Sequence, residues 1–182
     1  PDSGKFVHFN HDPNDPYSMS SNSIWAVYCD TSGIVWIGTL FGGGNKVVPS
    51  KSIFEYHSLD TITKGASLSG YVHKFCEVGP AIWFASDKGV HRFDAAGNEF
   101  ASHLLKQGGA GGSRIDILRS LHADRSGTLW LGTVVPGFVR FDMDRGSFHP
   151  IAIPLFDSTP LKYEVNAIAE DPSGLSWLST SQ

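Results

Sequence analysis

Short runs of alternating apolar and polar residues dominate the chain. Residues 71–76 are an apolar-rich run, 81–86 another, and in 89–94 Val90 and Phe93 flank His91 and Arg92. Glu99 to His103 closes the series, and the connections between runs carry Gly, Asn, Asp or Pro. Runs of five or six residues bounded by such punctuation predict strands. The same pattern predicts strands near 24–29, 34–39, 44–48, 117–123, 128–133, 138–142, 164–170 and 175–180. No segment shows the 3.6-residue period of an amphipathic helix, so the expected fold is all-β, with no helix beyond about one turn.

The runs recur. Trp36, Trp83, Trp130 and Trp177 are spaced by 47 residues each. Each opens a similar tetrapeptide: Trp36-Ile37-Gly38-Thr39, Trp83-Phe84-Ala85-Ser86, Trp130-Leu131-Gly132-Thr133 and Trp177-Leu178-Ser179-Thr180. Arg92-Phe93-Asp94 returns as Arg140-Phe141-Asp142, and Phe6, Phe54, Phe100 and Phe148 follow nearly the same period. A repeat of this length with four short strands matches a β-propeller blade. A β-helix needs a shorter repeat, and a helical solenoid needs helical periodicity.

At 47 residues per unit, the 182 residues make roughly 3.9 four-stranded blades, a partial propeller. The expected division is the end of a preceding blade over 1–11, blades over 12–58, 59–105 and 106–152, and an incomplete blade over 153–182. Lys5 to Phe9 reads as a remnant outer strand. The chain is therefore expected to be a piece of a longer protein, and Pro1 in place of an initiator Met agrees. Such an arc exposes a flank at each end. A strand near Phe6 could close a four-bladed ring beside Leu175 to Thr180. Self-association or an open arc is favoured, because the wedge angle suits a larger ring.

Three of the four tryptophans follow an Asp-x-Ser-Gly turn: Asp30 to Gly33, Asp124 to Gly127, and Asp171 to Gly174. An Asp carboxylate can accept backbone N–H groups two residues on, and Gly supplies a left-handed backbone. Recurring once per blade, these Asp residues cannot converge on one cation. All four repeat tryptophans are expected to pack, largely buried, between blades. In the second unit Val78 and Pro80 stand where the others have Asp and Gly, so its turn is expected to be one residue shorter.

Composition narrows the function. The net charge is −4, the wrong sign for a nucleic-acid or anionic-membrane surface. No stretch approaches the roughly 20 apolar residues of a membrane span. Cys29 and Cys76 form no metal-ligand spacing; both lie in apolar runs, which favours free thiols over a disulfide and leaves the redox compartment open. No G-x-S-x-G, H-E-x-x-H or P-loop is present, and the glycine run Gly108 to Ser113 lacks the P-loop lysine. His57 and His103 occupy equivalent repeat positions, and His8 and His11 fall in a terminal loop. The chain is expected to be no enzyme and to hold no cofactor or metal.

Asn22-Ser23-Ile24, then Asp30-Thr31-Ser32-Gly33-Ile34-Val35-Trp36-Ile37-Gly38-Thr39, then Gly42-Gly43-Gly44 resemble the two-component regulator propeller repeat. Phe9 to Ser20 resembles that family's linker between blades, and 113–142 and 164–180 repeat the signature. The resemblance implies a periplasmic sensor region of a Bacteroides-type hybrid two-component system. In that family paired propellers precede an immunoglobulin-like domain, a membrane helix, a histidine kinase and a response regulator, and commonly sense polysaccharide fragments. Signal transduction by carbohydrate sensing is therefore the implied role, with the remaining blades of a receptor as partners. The alternatives are part of a propeller lyase resembling streptogramin lyase, or a purely structural propeller segment.

Binding in a propeller belongs on the rim made by the second-to-third-strand loops and the connections between blades. These are 58–70, 104–115 and 150–163, with Leu40 to Asn45 and Val134 to Gly137. Candidate ligand-binding residues there, or at first-strand starts, are Asn22, Trp25, Phe41, Tyr71, His73, Arg114, Asp116, Arg119, Tyr163 and Asn166. The aromatics offer faces for stacking on a sugar, and Arg and Asn offer hydrogen bonds to hydroxyls or carboxylates. Trp25 is the one tryptophan off the 47-residue grid.

Overall fold

A computed structural model of the chain describes residues 6–48, 53–57, 71–94, 99–105, 117–135, 137–153 and 163–181. The first sheet contains β1 (Ile24–Cys29), β2 (Val35–Thr39), β3 (Gly44–Val48) and β4 (Ile53–His57). The second contains β5 (Val72–Val78), β6 (Ala81–Ser86), β7 (Gly89–Asp94) and β8 (Glu99–Leu104). The third contains β9 (Leu118–Ala123), β10 (Leu129–Thr133), β11 (Phe138–Asp142) and β12 (Ser147–Pro150), and β13 (Glu164–Glu170) pairs with β14 (Ser176–Ser181). Each sheet is antiparallel with strands in chain order. No described residue is helical. The first strands β1, β5, β9 and β13 lie against one another in sequence. The sheets therefore stand as successive blades of an all-β propeller, with their first strands innermost.

Apolar faces between adjacent blades make the core. Trp36 packs with Val72, Phe75, Ile82, Phe84 and Phe93 of the second blade. Trp83 packs with Leu121, Leu131 and Phe141 of the third. The small residue in Trp36-Ile37-Gly38-Thr39 has a packing cause: a Cβ at Gly38 would come within 2.8 Å of the Val72 carbonyl oxygen in the next blade. At Gly132 a Cβ would strike the carbonyl of Val165 in the same way. Glycine here lets one blade's second strand approach the next blade's first.

The Asp-x-Ser-Gly turns form a repeated clasp. Asp30 Oδ1 accepts from the Ser32 N–H at 3.0 Å, the Ser32 hydroxyl at 2.7 Å and the Ile34 N–H at 2.9 Å. Its Oδ2 accepts from the Trp36 indole. Asp124 and Asp171 repeat every one of these bonds with Ser126, Thr128 and Trp130, and with Ser173, Leu175 and Trp177. Gly33, Gly127 and Gly174 take φ of 82°, 81° and 88°, where a Cβ is disfavoured. The expected local role of Asp and Gly is seen, and the indole bond to the same carboxylate adds to it. In the second blade Val78 pairs with Ala81 across the two residues Gly79 and Pro80. The corresponding loop of the first blade has three, Thr31 to Gly33, so the shorter turn is as expected.

Other expectations are corrected. Trp36 and Trp83 are buried and Trp130 is half-buried, but Trp177 is 61% exposed. A propeller tryptophan is covered by the blade that follows it, and on that side of β14 both Leu175 and Trp177 are exposed. Residues 6–9 form no strand; Phe9 instead meets the ring of Phe54 edge-on at 5.2 Å. Among the described residues β14 pairs with β13 alone, so no ring is closed through Phe6. The expected free thiols, by contrast, are seen at Cys29 and Cys76; Cys29 is exposed, and burial pushes the Cys76 thiol up to about 12.

Candidate functional site

A β-bulge interrupts the start of every first strand. Ile24 pairs with Thr39 and Ala26 with Gly38, leaving Trp25 as the extra residue. The same register shift leaves His73 extra between Val72 and Lys74. Arg119 lies extra between Leu118 and Ser120, and Asn166 between Val165 and Ala167. Four of the ten residues expected at the site therefore hold one equivalent position in four successive blades. Bulges commonly re-aim a side chain beside a functional site.

Two of these residues meet in an aromatic cluster. The Trp25 ring lies 5.2 Å from Tyr71, nearly perpendicular, and 6.1 Å from His73. Tyr71 and His73 are stacked at 5.8 Å with 14° between their planes. Phe41, from the β2–β3 loop, approaches Tyr71 at 5.5 Å. Trp25 is 54% and Phe41 62% exposed. The Phe41 backbone has φ of 59°, in the left-handed region, and no other described non-glycine residue has a positive φ. Such strain at an exposed aromatic ring is typical of a residue held for function.

The backbone fixes this cluster across two blades. Leu40 and Tyr71 form an antiparallel bridge. The Tyr71 N–H donates to Asp87 Oδ1 at 3.2 Å, and the Asp87 N–H donates to the Tyr71 carbonyl at 3.3 Å. Burial holds His73 below the ordinary imidazole range; the nearby Arg119 guanidinium adds to this, and the Asp87 carboxylate opposes it. His73 Nε2 and Arg119 Nε are enclosed, and neither makes a hydrogen bond.

The remaining candidates are more scattered. Asn22 Oδ1 accepts the His11 N–H at 2.7 Å, so that side chain anchors the incoming segment. Tyr163 is exposed just before β13, and Asn166 is exposed at its bulge. Neither has a described ring contact or hydrogen bond that joins it to the Trp25 cluster. Arg114 and Asp116 lie outside the described residues, as do the loop 58–70, most of 104–115 and 150–163, and the glycine run Gly108 to Ser113. Sequence reasoning missed Asp87. Its position immediately after the Trp83 strand, on the same rim as Phe41, was the available signal. A groove of about 410 Å³ between the second and third blades, lined by Val78, Trp83, Arg92, His103 and Met143, lies toward the opposite, Asp-turn end.

Comparison with known proteins bears on this site. The two component regulator propeller family model matches residues 18–41, a stretch that includes Trp25, the first Asp turn and Phe41. This stretch is similar to a two component regulator propeller repeat.

Solved structures share the fold of the whole chain. The extracellular domain of BT3049 from B. thetaiotaomicron, described as a hybrid two component system, superposes with a TM-score of 0.65 at 14% identity. It matches 98% of this chain and 28% of its own length. The extracellular domain of BT4673 from the same organism, also described as a hybrid two component system, gives 0.51 at 24% identity, over 99% of this chain and 24% of that one. PorZ, a surface component of the type-IX secretion system of Porphyromonas gingivalis, gives 0.69 at 16% identity, over 98% and 28%. The chain thus spans about a quarter of the length of these propeller proteins. No curated protein matches the sequence.

Proposed function

We propose that the chain is part of the extracytoplasmic, periplasmic sensing region of a hybrid two-component histidine kinase and response regulator, and that it binds oligosaccharides. The propeller repeat over 18–41 and the extracellular propellers of similar fold support the receptor setting. The observation that carries ligand binding is the exposed aromatic cluster of Trp25, Phe41 and Tyr71, built from two blades on a bridged backbone. Aromatic faces suit the C–H faces of pyranose rings, and their fixed geometry reduces the ordering cost of binding. The role is one of binding, not catalysis, with the other blades of a receptor as the natural neighbours of the two flanks.

Titration of the 182-residue chain against a panel of oligosaccharides, followed by tryptophan fluorescence and calorimetry, tests this reading. The expected result is saturable binding of at least one saccharide that Trp25→Ala weakens by about tenfold or more, as loss of a stacked anchor does. A panel in which every saccharide fails to bind, or binds Trp25→Ala unchanged, overturns it.

A further inference from the structure

The bulge row gives the aromatic cluster a charged neighbour. Trp25, His73 and Arg119 occupy the same bulge position in adjacent blades, on first strands that lie against one another. Arg119 acts electrostatically on His73. It makes no ion pair with any described carboxylate, and its Nε is enclosed without a hydrogen-bond acceptor. Asp87, the carboxylate that also acts on His73, is already engaged by the Tyr71 N–H and lies 3.7 Å from Lys88 Nζ.

A guanidinium whose Nε is enclosed without an acceptor is costly unless one reaches it. His73 Nε2, one blade away, also lacks a partner. Neither nitrogen is matched, while the adjoining surface carries the exposed rings of Trp25 and Phe41 on either side of Tyr71. An anionic group beside an apolar ring face is the ligand chemistry that satisfies both halves.

We propose that this site takes an acidic saccharide, with a pyranose ring against Trp25 and Tyr71 and its carboxylate or sulfate at Arg119, beside His73. The assignment rests on the oligosaccharide reading above and specifies its ligand class. Arg119 supplies the charge and the forked donors that favour planar anions. His73, which burial shifts toward its neutral form, places its unpartnered Nε2 beside the same acceptor. Asn166 continues the row in the fourth blade, where a further sugar unit would find an amide able to donate and accept.

The test compares trigalacturonate, a sulfated galactose trimer and neutral galactotriose on the full chain by calorimetry at neutral pH. An acidic trimer should bind about tenfold or more tighter than galactotriose, and Arg119→Gln should remove that preference while Arg119→Lys keeps part of it. Whichever acidic trimer binds more tightly identifies carboxylate or sulfate as the recognised group. Should Arg119→Gln fail to fold, salt dependence of the wild-type protein decides: affinity for the acidic trimer should fall between about 0.05 and about 0.5 M salt while that for galactotriose holds. Equal affinity for acidic and neutral trimers, acid preference unchanged in Arg119→Gln, or salt-independent acidic binding overturns the proposal. If galactotriose binds as well as the acids and Trp25→Ala abolishes it, the acidic inference falls and the oligosaccharide reading stands. If no trimer binds and the wider panel also fails, both fall.

Discussion

The indole nitrogen of Trp36 donates a 2.8 Å hydrogen bond to Oδ2 of Asp30, six residues earlier, while Oδ1 of the same carboxylate holds the turn between them. One ionised side chain thereby ties a tight turn to the tryptophan that packs against the next blade. Burial alone would raise the Asp30 carboxyl, but the bonds from Ser32, Trp36 and Ile34 outweigh it and hold the group below the ordinary aspartate range. Asp30→Ala would leave the buried indole N–H and two backbone N–H groups without their acceptor. The expected loss is about 2–4 kcal/mol, given the strength of hydrogen bonds to charged acceptors. Urea unfolding measures it. The equivalent change at Asp171, in an exposed loop, should cost clearly less, and equal losses at the two sites would disprove the link between the clasp and blade packing.

The four repeat tryptophans provide a second, graded test. Trp36 is 2% exposed and touches Phe75 and Phe93 of the next blade. Trp177 has the same hydrogen bond to its aspartate but lacks the covering blade. Trp36→Ala should therefore destabilise by about 3–5 kcal/mol, the range for emptying a large core site. Trp177→Ala should cost about 1 kcal/mol or less. Unfolding midpoints that move equally would mean that the indole bond, rather than blade packing, carries the contribution.

These two tests also mark what the sequence could reveal. The 47-residue spacing and the Asp turn were visible because they are local: a carboxylate, a glycine and an indole within seven residues fix their own geometry. Trp177 was expected to be buried because its sequence equals that of Trp36, yet burial depends on a neighbour that no repeat pattern reports. The equivalence of Trp25, His73, Arg119 and Asn166 was hidden for a related reason. Trp25 precedes Trp36 by 11 residues, but His73 precedes Trp83 by 10, because the second blade's turn is one residue shorter. A bulge leaves no mark on apolar alternation, so the sequence offers the four as separate candidates rather than as one row. The meeting of Phe41, Tyr71 and Asp87 depends on the inter-blade bridge at Leu40, a long-range contact that no local pattern contains.

His91 gives the fold an acid-sensitive point. It is fully buried on β7, between the hydroxyls of Ser86 at 2.8 Å and Ser102 at 2.9 Å, and is stacked on Phe84. Burial, with a smaller contribution from His103, pushes its imidazole down to about 3. The unfolded imidazole titrates near 6.5, so between these values the unfolded chain binds the extra proton. The stability this group contributes is present in full above about pH 6.5 and is lost as pH falls toward about 3, by about 1 kcal/mol per pH unit. His57, His73 and His103 are shifted in the same direction, chiefly by burial, and add to the slope. Urea unfolding at pH 7.5 and pH 5 should show the wild type clearly weaker at pH 5. His91→Gln should start less stable but lose less over that interval. An identical loss in the variant would remove His91 from the account.

The flanks carry the last prediction. Val27 on β1 is 65% exposed, and Ile24 beside it is also exposed. At the other end Leu175 and Trp177 present a second apolar face around β14. The faces buried between adjacent blades are built from the same kinds of residue: Trp36 with Val72 and Phe75, and Trp83 with Leu121 and Phe141. One open face should therefore accept the other from a second molecule, in the same head-to-tail sense in which successive blades stack. Exposed apolar surfaces of this kind favour association in water, and a head-to-tail contact either closes into a ring or continues. Light scattering of the 182-residue chain should give an apparent mass that rises with concentration. Val27→Lys combined with Leu175→Lys places a charge on each face and should return the mass to that of one chain, with the folded far-ultraviolet signature retained. A wild-type mass that stays at one chain as concentration rises would show that the two faces do not recognise each other.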